Sequence, residues 1–232
     1  MGAGPAGPDA FGEGIWTKKK PGVEPGKTGM TKTDFPPSIL SRPTYGVLAP
    51  RPGAAHLMIA DGDGAGAILD LLAAAEPGMA AKSHLIYLPG PDGTDRTADL
   101  AALALAQFHR APSFAAALPR LRKVLGDAHM GLQIYLAGTE GLIGQAQREV
   151  MEAGLPHDAV QTEHRGSLVR RVQCVHCKGI TENVATDPFV CSHCGLALFV
   201  RDHYSRRIAA FQGVNIDAED PGSVPAPVEK FR

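Results

Sequence analysis

The sequence predicts an α/β protein in which a Rossmann-like parallel sheet with flanking helices is followed by a small four-cysteine metal ribbon. From residue 56 to about residue 166, short apolar runs alternate with helical stretches, as parallel strands joined by helices do. Farther along, all four cysteines fall in two CxxC pairs, a pattern typical of metal ligation in a reducing compartment.

Composition limits the classes of partner. The 232 residues include 23 Lys or Arg and 24 Asp or Glu, giving a net charge of -1, so no overall field attracts nucleic acid or an anionic membrane. No apolar run approaches the roughly 20 residues that span a bilayer, and the N-terminus lacks the features of a secretory signal. We therefore expect a cytoplasmic protein with no membrane partner.

The chain divides by composition into five segments. They are a flexible arm (1–34), a lead-in segment (35–55), the α/β domain (56–166), the four-cysteine metal-binding module (167–213) and a polar tail (214–232). The arm is rich in Gly and Pro and has no sustained periodicity, so it buries too little apolar area to offset chain entropy. Its Trp16, the sole tryptophan, is either an anchor for a partner or a solvated linker residue.

Apolar periodicity places the elements of the α/β domain. Buried strands are predicted over residues 56–60, 84–88, 133–137 and 159–162, and helices over about 68–75, 97–108, 113–125 and 142–153. The first strand runs into a Gly-rich turn at 61–67, which with the following helix forms half of a nucleotide-binding unit. Gly154 suits a left-handed helix cap.

The cysteines predict a tetrathiolate site for one metal ion. Thirteen residues separate the pair Cys174 and Cys177 from the pair Cys191 and Cys194, and two such turns can place four sulfurs around one ion at about 2.3 Å for zinc. A glycine follows each pair, at 179 and at 195, and is expected to let the turn close so that backbone N–H groups point at sulfur. Two disulfides or four free thiols are the alternatives.

The spacing of the four cysteines does not identify which metal is bound. Zinc and rubredoxin-type iron use the same four sulfurs, and zinc is preferred here as the commoner occupant. His176 and His193 lie inside the CxxC loops, where we expect their rings to point outward. Phe189, Phe199 and Tyr204 would either screen an iron centre from water or form the core of the module.

Between Arg165 and Arg207 the chain has seven basic and three acidic residues. This local excess is interpreted as a docking face for an acidic protein surface, as a solvated rim, or as a nucleic-acid patch. The nucleic-acid patch would use Arg170, Arg171, Lys178, Arg206 and Arg207.

Residues 56–74 and 133–166 resemble the beginning and end of the NAD(P)-binding domain of the ferredoxin reductase family. The family has Thr-Pro after its glycines where this chain has Gly66-Ala67, and Cys-Gly-Pro where it has residues 137–139, Ala-Gly-Thr. His164 follows Glu163 where the family has an aromatic residue. The flavin-binding barrel that precedes this domain in the family has no counterpart in residues 1–55.

Asp61 and Asp63 stand where a pyrophosphate would approach, and carboxylates at a helix N-terminus repel phosphate. We therefore expect no catalytic residues and no hydride transfer by this chain alone. The alternative is that NADPH still binds, with both carboxylates turned away from it.

A reductase-like domain joined to a four-cysteine module resembles the small accessory subunit of dimethylamine monooxygenase. The resemblance covers the turn at 61–67, the turn at 137–141 and the four cysteines. It implies a complex with a haem-bearing oxygenase subunit and a flavin, iron-sulfur reductase subunit, which demethylates a secondary amine with O2 and NADPH. This chain would be a non-catalytic subunit that docks the others or relays electrons. The alternative is a free-standing nucleotide- or nucleic-acid-binding protein with a zinc ribbon.

Overall fold

The computed structural model describes residues 1, 2, 4, 42–90 and 92–231, with the backbone alone for residue 157. Its first sheet has five strands, β1 (Ala55–Asp61), β2 (Ser83–Leu88), β3 (Gln107–Arg110), β4 (Leu132–Gly138) and β5 (Val160–His164). The helices between them are α1 (Gly64–Ala73), α2 (Thr97–Ala101), α3 (Phe114–Gly126) and α4 (Glu140–Glu152). The strands are all parallel, in the order β3-β2-β1-β4-β5, so the predicted fold class is confirmed.

The sheet is buried on both faces because successive side chains of a strand point to opposite sides. On one face, Leu57, Ile59, Ile134 and Leu136 pack with residues of α3 and α4. On the other face, Met58, Ala60, Tyr87 and Tyr135 pack with residues of α1. Both faces of the central strands are apolar, which explains why these strands are continuous hydrophobic runs in the sequence.

One predicted helix is wrong in its second half. The helix predicted over 97–108 ends at Ala101, and Gln107–Arg110 is instead the edge strand β3. Its residues pair with His84–Tyr87 of β2 in parallel register. The Ala and Leu content favours a helix locally, but the exposed edge of β2 offers hydrogen bonds to the extended chain, and this tertiary pairing overrides propensity.

Helices α3 and α4 have capping residues at their ends. The side chains of Ser113 and Thr139 accept hydrogen bonds from backbone N–H groups in the first turns of α3 and α4, the usual N-cap arrangement. The predicted left-handed cap at Gly154 is confirmed by its φ of 78°. Helix α1 begins earlier than predicted, at Gly64. This glycine lies against the backbone of Ala137, where a methyl group would overlap the carbonyl.

The cysteines lie in a second, mainly antiparallel sheet. Its strands are β6 (Arg170–Cys174), β7 (Ile180–Val184), β9 (Phe189–Val190), β10 (Ala197–Ser205) and β11 (Ala210–Asn215), in the order β7-β6-β11-β10-β9. A separate pair joins β8 (Thr186–Asp187) to β12 (Val228–Glu229). We call residues 170–215 the ribbon.

The ribbon packs against α4 at a notch formed by Gly144. A methyl group there would overlap the Tyr204 hydroxyl and would lie 3.0 Å from the Ala209 side chain. The Tyr204 ring also meets the edge of Phe211, with 5.0 Å between ring centroids. Burial raises the pKa of Tyr204 to about 12, so the hydroxyl entering the notch is neutral at physiological pH.

The end of the lead-in segment lines β5. Gly46 donates to the Thr162 carbonyl at 2.9 Å, and the backbone N–H of Leu48 donates to the buried Glu163 carboxylate at 2.7 Å. The segment thus covers hydrogen-bonding groups beside the last strand of the sheet. The predicted flexible arm at 1–34, with Trp16, lies outside the described residues apart from residues 1, 2 and 4.

The segment predicted as a polar tail folds back onto the ribbon. Most of residues 217–230 are exposed, but Phe231 is 5% exposed and belongs to the ribbon core. The Arg170 guanidinium lies between two rings, 4.0 Å from the Phe211 centroid and 4.2 Å from that of Phe231. The sequence interpretation did not anticipate this return. Within the described residues, no helix is long and apolar enough to cross a membrane.

We predict that Gly144→Ala will lower the free energy of unfolding by about 1–3 kcal/mol, the usual effect of overpacking, because the new methyl group displaces Tyr204. Gly141→Ala, in the same helix, is the matched control, since a methyl group there meets nothing within 4 Å. That variant should be stabilised by about 0.5–1 kcal/mol. Urea unfolding of both variants measures the difference. Equal changes in the free energy of unfolding would contradict the close packing of Tyr204 against Gly144.

A second prediction concerns Glu149, whose side chain is 2% exposed. It accepts hydrogen bonds from Arg122 of α3 at 2.7 Å and from Arg148 at 2.9 Å. Burial alone would raise the pKa of Glu149, but these two guanidinium groups outweigh it and lower the pKa. A lowered folded-state pKa gives stability that is present above the unfolded-state pKa and is lost as pH falls through the folded-state value.

Glu149→Gln should therefore lower the free energy of unfolding by about 1–3 kcal/mol at pH 7 and should flatten its fall at acid pH. Glu152→Gln removes a more exposed carboxylate, 3.6 Å from Arg148, and should change stability by less than about 1 kcal/mol. Unfolding measured from pH 7 down to pH 3 separates the two variants. If the free energy of unfolding of Glu149→Gln falls between pH 7 and pH 3 as steeply as that of the unaltered protein, Glu149 is not the group responsible for this pH dependence.

Candidate metal centre

Two similar loops present the four cysteines. Cys174 ends β6 and Cys191 follows β9, and each opens a CxxC turn. The first turn is closed by the backbone hydrogen bond from Lys178 to Cys174 and the second by that from Gly195 to Cys191, both 3.0 Å long. The two loops face each other, so that the sulfurs meet between them.

The four sulfurs cluster as one ion requires. All lie within 4.8 Å of one another, with 3.8 Å between Cys174 and Cys194 and 3.7 Å between Cys177 and Cys191. A tetrahedral site with metal–sulfur bonds of about 2.3 Å separates its sulfurs by about 3.8 Å, whereas a disulfide needs about 2.05 Å. All four cysteines are free, and their arrangement could hold a single metal ion.

The two glycines that follow the cysteine pairs serve their loops differently. Gly195 does take a left-handed conformation, with φ of 76°, but in the first loop the equivalent position is Lys178, with φ of 64°. Gly179 instead lies against the His193 ring, which a methyl group would overlap. It also donates its N–H to the Cys177 sulfur at 3.4 Å, so the expected hydrogen bond to sulfur is present. Glycine is therefore needed at 179 for close packing of the two loops.

The thiols do not ionise equally in the absence of a cation. Burial opposes ionisation of Cys191, but backbone N–H groups of Cys194 and His193 donate to its sulfur and lower its pKa to about 6. At Cys194 the N–H of Leu196 favours the thiolate, yet burial and the three neighbouring thiols raise the pKa to about 12. Four thiolates at this spacing therefore require a cation to offset their repulsion.

The remaining residues of the module are placed around the sulfurs. The His193 ring donates to the Ile180 carbonyl at 2.9 Å through Nε2, and neither His176 nor His193 joins the cluster. Phe189 packs in the ribbon core beside Cys174 and Cys191. Tyr204 instead reaches α4, as described above, so it serves the contact with the α/β region.

The structure separates the residues of the postulated nucleic-acid patch. Arg170 is stacked between two rings and donates to Asp202 at 2.8 Å. Arg171 donates to Glu182 at 2.8 Å and to the Ile208 carbonyl at 2.5 Å. These two side chains are occupied by the fold, which disfavours a phosphate-reading surface that depends on them.

The carboxyl edge of the parallel sheet is filled by the chain itself. Between β1 and β4 the strand order reverses, and in such folds ligands bind in this crevice. Asp61, 7% exposed, accepts hydrogen bonds there from the Thr139 N–H at 2.7 Å and from its hydroxyl at 2.6 Å. Only glycine fits at 138, because a methyl group would overlap the Asp61 carboxylate.

The Asp61 carboxylate thus faces Thr139 across the crevice, whereas Asp63 is exposed at the start of α1. Burial raises the pKa of Asp61, and the two Thr139 hydrogen bonds act in the opposite direction. Glu163 likewise serves the fold, binding Leu48 and Arg165. The sequence interpretation missed Thr139 as the partner of Asp61, since 78 residues separate them.

Comparison with known proteins identifies the family. Residues 37–160 match the N-terminal domain, and residues 171–214 the C-terminal domain, of the family described as dimethylamine monooxygenase subunit DmmA-like. The chain belongs to this family. It is 34% identical over 151 residues to the heme-dependent oxidative N-demethylase delta subunit of Ectopseudomonas mendocina (strain ymp), covering 61% of this chain and 84% of that one.

Two solved structures are similar to parts of this chain. Phthalate dioxygenase reductase matches with a TM-score of 0.41 and 16% identity, over 62% of this chain and 47% of that one. An intact type IV self-sufficient cytochrome P450 monooxygenase matches with a TM-score of 0.36 and 17% identity, over 71% of this chain and 21% of that one. This chain thus spans about half of the first protein and about a fifth of the second.

The cluster predicts different outcomes for neighbouring side chains. Cys177→Ala should reduce bound zinc or iron from near one per chain to near zero and should lower the melting temperature, because metal binding and folding of such a module are coupled. His176→Ala, one residue away and exposed, should retain the metal. Elemental analysis of freshly purified protein is the measurement. Equal metal content in both variants would exclude Cys177 as a ligand.

Proposed function

We propose that this protein is an accessory, non-catalytic subunit of a multicomponent haem-dependent dimethylamine monooxygenase. In this proposal it docks a haem-bearing oxygenase subunit and a flavin, iron-sulfur reductase subunit, while the complex demethylates a secondary amine with O2 and NADPH. The main support is the combination of family membership with a four-sulfur cluster in a chain whose own nucleotide crevice is filled.

The filled crevice supports a docking role for the α/β region. The Asp61 carboxylate opposes the phosphates of a dinucleotide both by its position and by its charge. Hydride transfer is therefore left to another subunit. A reductase-like fold without its cofactor still offers a rigid surface, stabilised by two apolar cores, on which partners can assemble.

The ribbon supplies a second docking surface. Arg201, Arg206 and Arg207 are exposed, and within the described residues none forms an ion pair. Unpaired guanidinium groups favour contact with an acidic protein surface and speed its association. Arg170 and Arg171 form contacts within the ribbon, but these three exposed arginines still provide a basic surface between residues 165 and 207 for docking.

The metal decides whether the ribbon also relays electrons. The four cysteines would hold either ion: iron would supply a one-electron couple, whereas zinc has no accessible redox change and would only organise the complex. We retain zinc as the preferred occupant because it is the commoner one. Four free thiols are consistent with the proposed cytoplasmic location, where thiols stay reduced.

The proposal predicts that the tagged protein will co-purify with a haem subunit and a flavin, iron-sulfur subunit when the three are produced together. Arg201→Glu combined with Arg206→Glu and Arg207→Glu should weaken this association at least tenfold at low salt. Arg110→Glu is the control, since Arg110 lies on β3 and is paired with Asp95. Failure of the unaltered protein to associate with either subunit would refute the accessory role.

The redox question has its own measurement. The isolated protein containing iron should be red and should bleach with dithionite, and the colour should return on exposure to air. Colourless protein containing about one zinc per chain would end the relay proposal and leave the docking proposal standing.

A further inference from the structure

A cavity of about 630 Å³ lies at the opposite edge of the parallel sheet from the Asp61 crevice. It is formed where the lead-in segment, the start of β1 and the loop between α1 and β2 meet. Much of its wall is proline, alanine and methionine, and its polar side chains are Arg51, His56, Glu76 and Lys82. Its volume falls within the range of small-molecule sites, which combine apolar walls with a few polar groups.

His56 is the buried polar group of this cavity. Its side chain belongs to a residue that is 4% exposed, and its ring packs against Tyr135, with 6.0 Å between ring centroids. Nδ1 is enclosed and has no hydrogen-bond partner among the described residues. Nε2 is not enclosed in this way, so it is the ring nitrogen available to an occupant of the cavity.

The surroundings of His56 determine its protonation state and its tautomer. Burial lowers the pKa of His56, and the Lys82 ammonium lowers it further, so the imidazole is neutral at physiological pH. A neutral imidazole has one N–H. A proton on Nδ1 would bury a donor without an acceptor, which is unfavourable. The proton therefore lies on Nε2, where it can be donated into the cavity.

The other groups add donors and one opposing charge. Lys82 is exposed at the cavity and close enough to influence His56. One nitrogen of the Arg51 guanidinium donates to the Asp158 carbonyl at 2.6 Å, which leaves its other N–H groups for a ligand. Glu76, the one carboxylate of the lining, repels anions. Two cations and an N–H donor against one carboxylate favour a ligand rich in acceptor oxygens.

We propose that this cavity binds a small oxyanion, a carboxylate or phosphate group, between Lys82, Arg51 and the Nε2–H of His56. The site lies at the amino ends of the strands, so it is distinct from the crevice in which this fold class binds nucleotides. It is also independent of the metal centre and of the proposed docking role, and each can fail without the other.

The imidazole reports on the site directly. Long-range 1H–15N spectra of the full chain distinguish the two tautomers of each neutral histidine, and loss of one signal in His56→Gln assigns this residue. We expect the Nε2–H tautomer at pH 7.5. Titration with inorganic phosphate, and separately with malonate, at constant ionic strength should shift the His56 signals saturably, and the two probes distinguish phosphate from carboxylate ligands.

Matched lysine variants test the site without altering a buried residue. Lys82→Met should weaken the binding of the better probe at least tenfold, whereas Lys123→Met, which removes an exposed lysine paired with Asp127, should change it less than twofold. If His56→Gln does not fold, contacts to the Tyr135 ring protons assign the signal. An Nδ1–H tautomer, the absence of a saturable shift with both probes, or equal weakening in both lysine variants would overturn the proposal.

Discussion

The close approach of four cysteine sulfurs constrains the last third of this protein. Their sulfurs lie within 4.8 Å of one another, a spacing that four negative charges tolerate only around a cation. The hydrophobic cluster of the ribbon has nine buried members, among them Cys174, Cys191 and, from the returning tail, Phe231. A core of this size rarely stabilises a fold without a staple, and a metal ion bound by the four sulfurs would supply one.

The order imposed on the ribbon extends into the α/β region through a small number of contacts. The side chain of Tyr204, a residue of β10, enters the Gly144 notch of helix α4. Arg170 is held between the Phe211 and Phe231 rings and donates a hydrogen bond to Asp202. Asp202 also binds Arg42, near the start of the described lead-in segment. These contacts connect the strands that carry the sulfurs to helix α4 and to the lead-in segment.

The parts of the fold that could be read from the sequence are those with local causes. Apolar runs located four strands of the parallel sheet, and the CxxC spacing located the sulfur cluster, because periodicity and ligand spacing are short-range properties. The strand β3 was missed because its stability comes from pairing with β2, and the return of Phe231 was missed because its partner, Arg170, lies far away in sequence. The left-handed conformation of Lys178 has no local signal in the sequence, since glycine is the residue that ordinarily adopts it.

The bond between Asp61 and Thr139 has an evolutionary consequence. A variant that opened this crevice to a dinucleotide would first have to lose this carboxylate, leaving the Thr139 N–H and hydroxyl without their partner in a partly buried site. Such an intermediate is destabilised before any ligand can compensate, since an unsatisfied buried donor is costly. Replacement of Asp61 alone therefore removes a buried pairing before any new ligand is gained, which favours retention of the aspartate in this crevice.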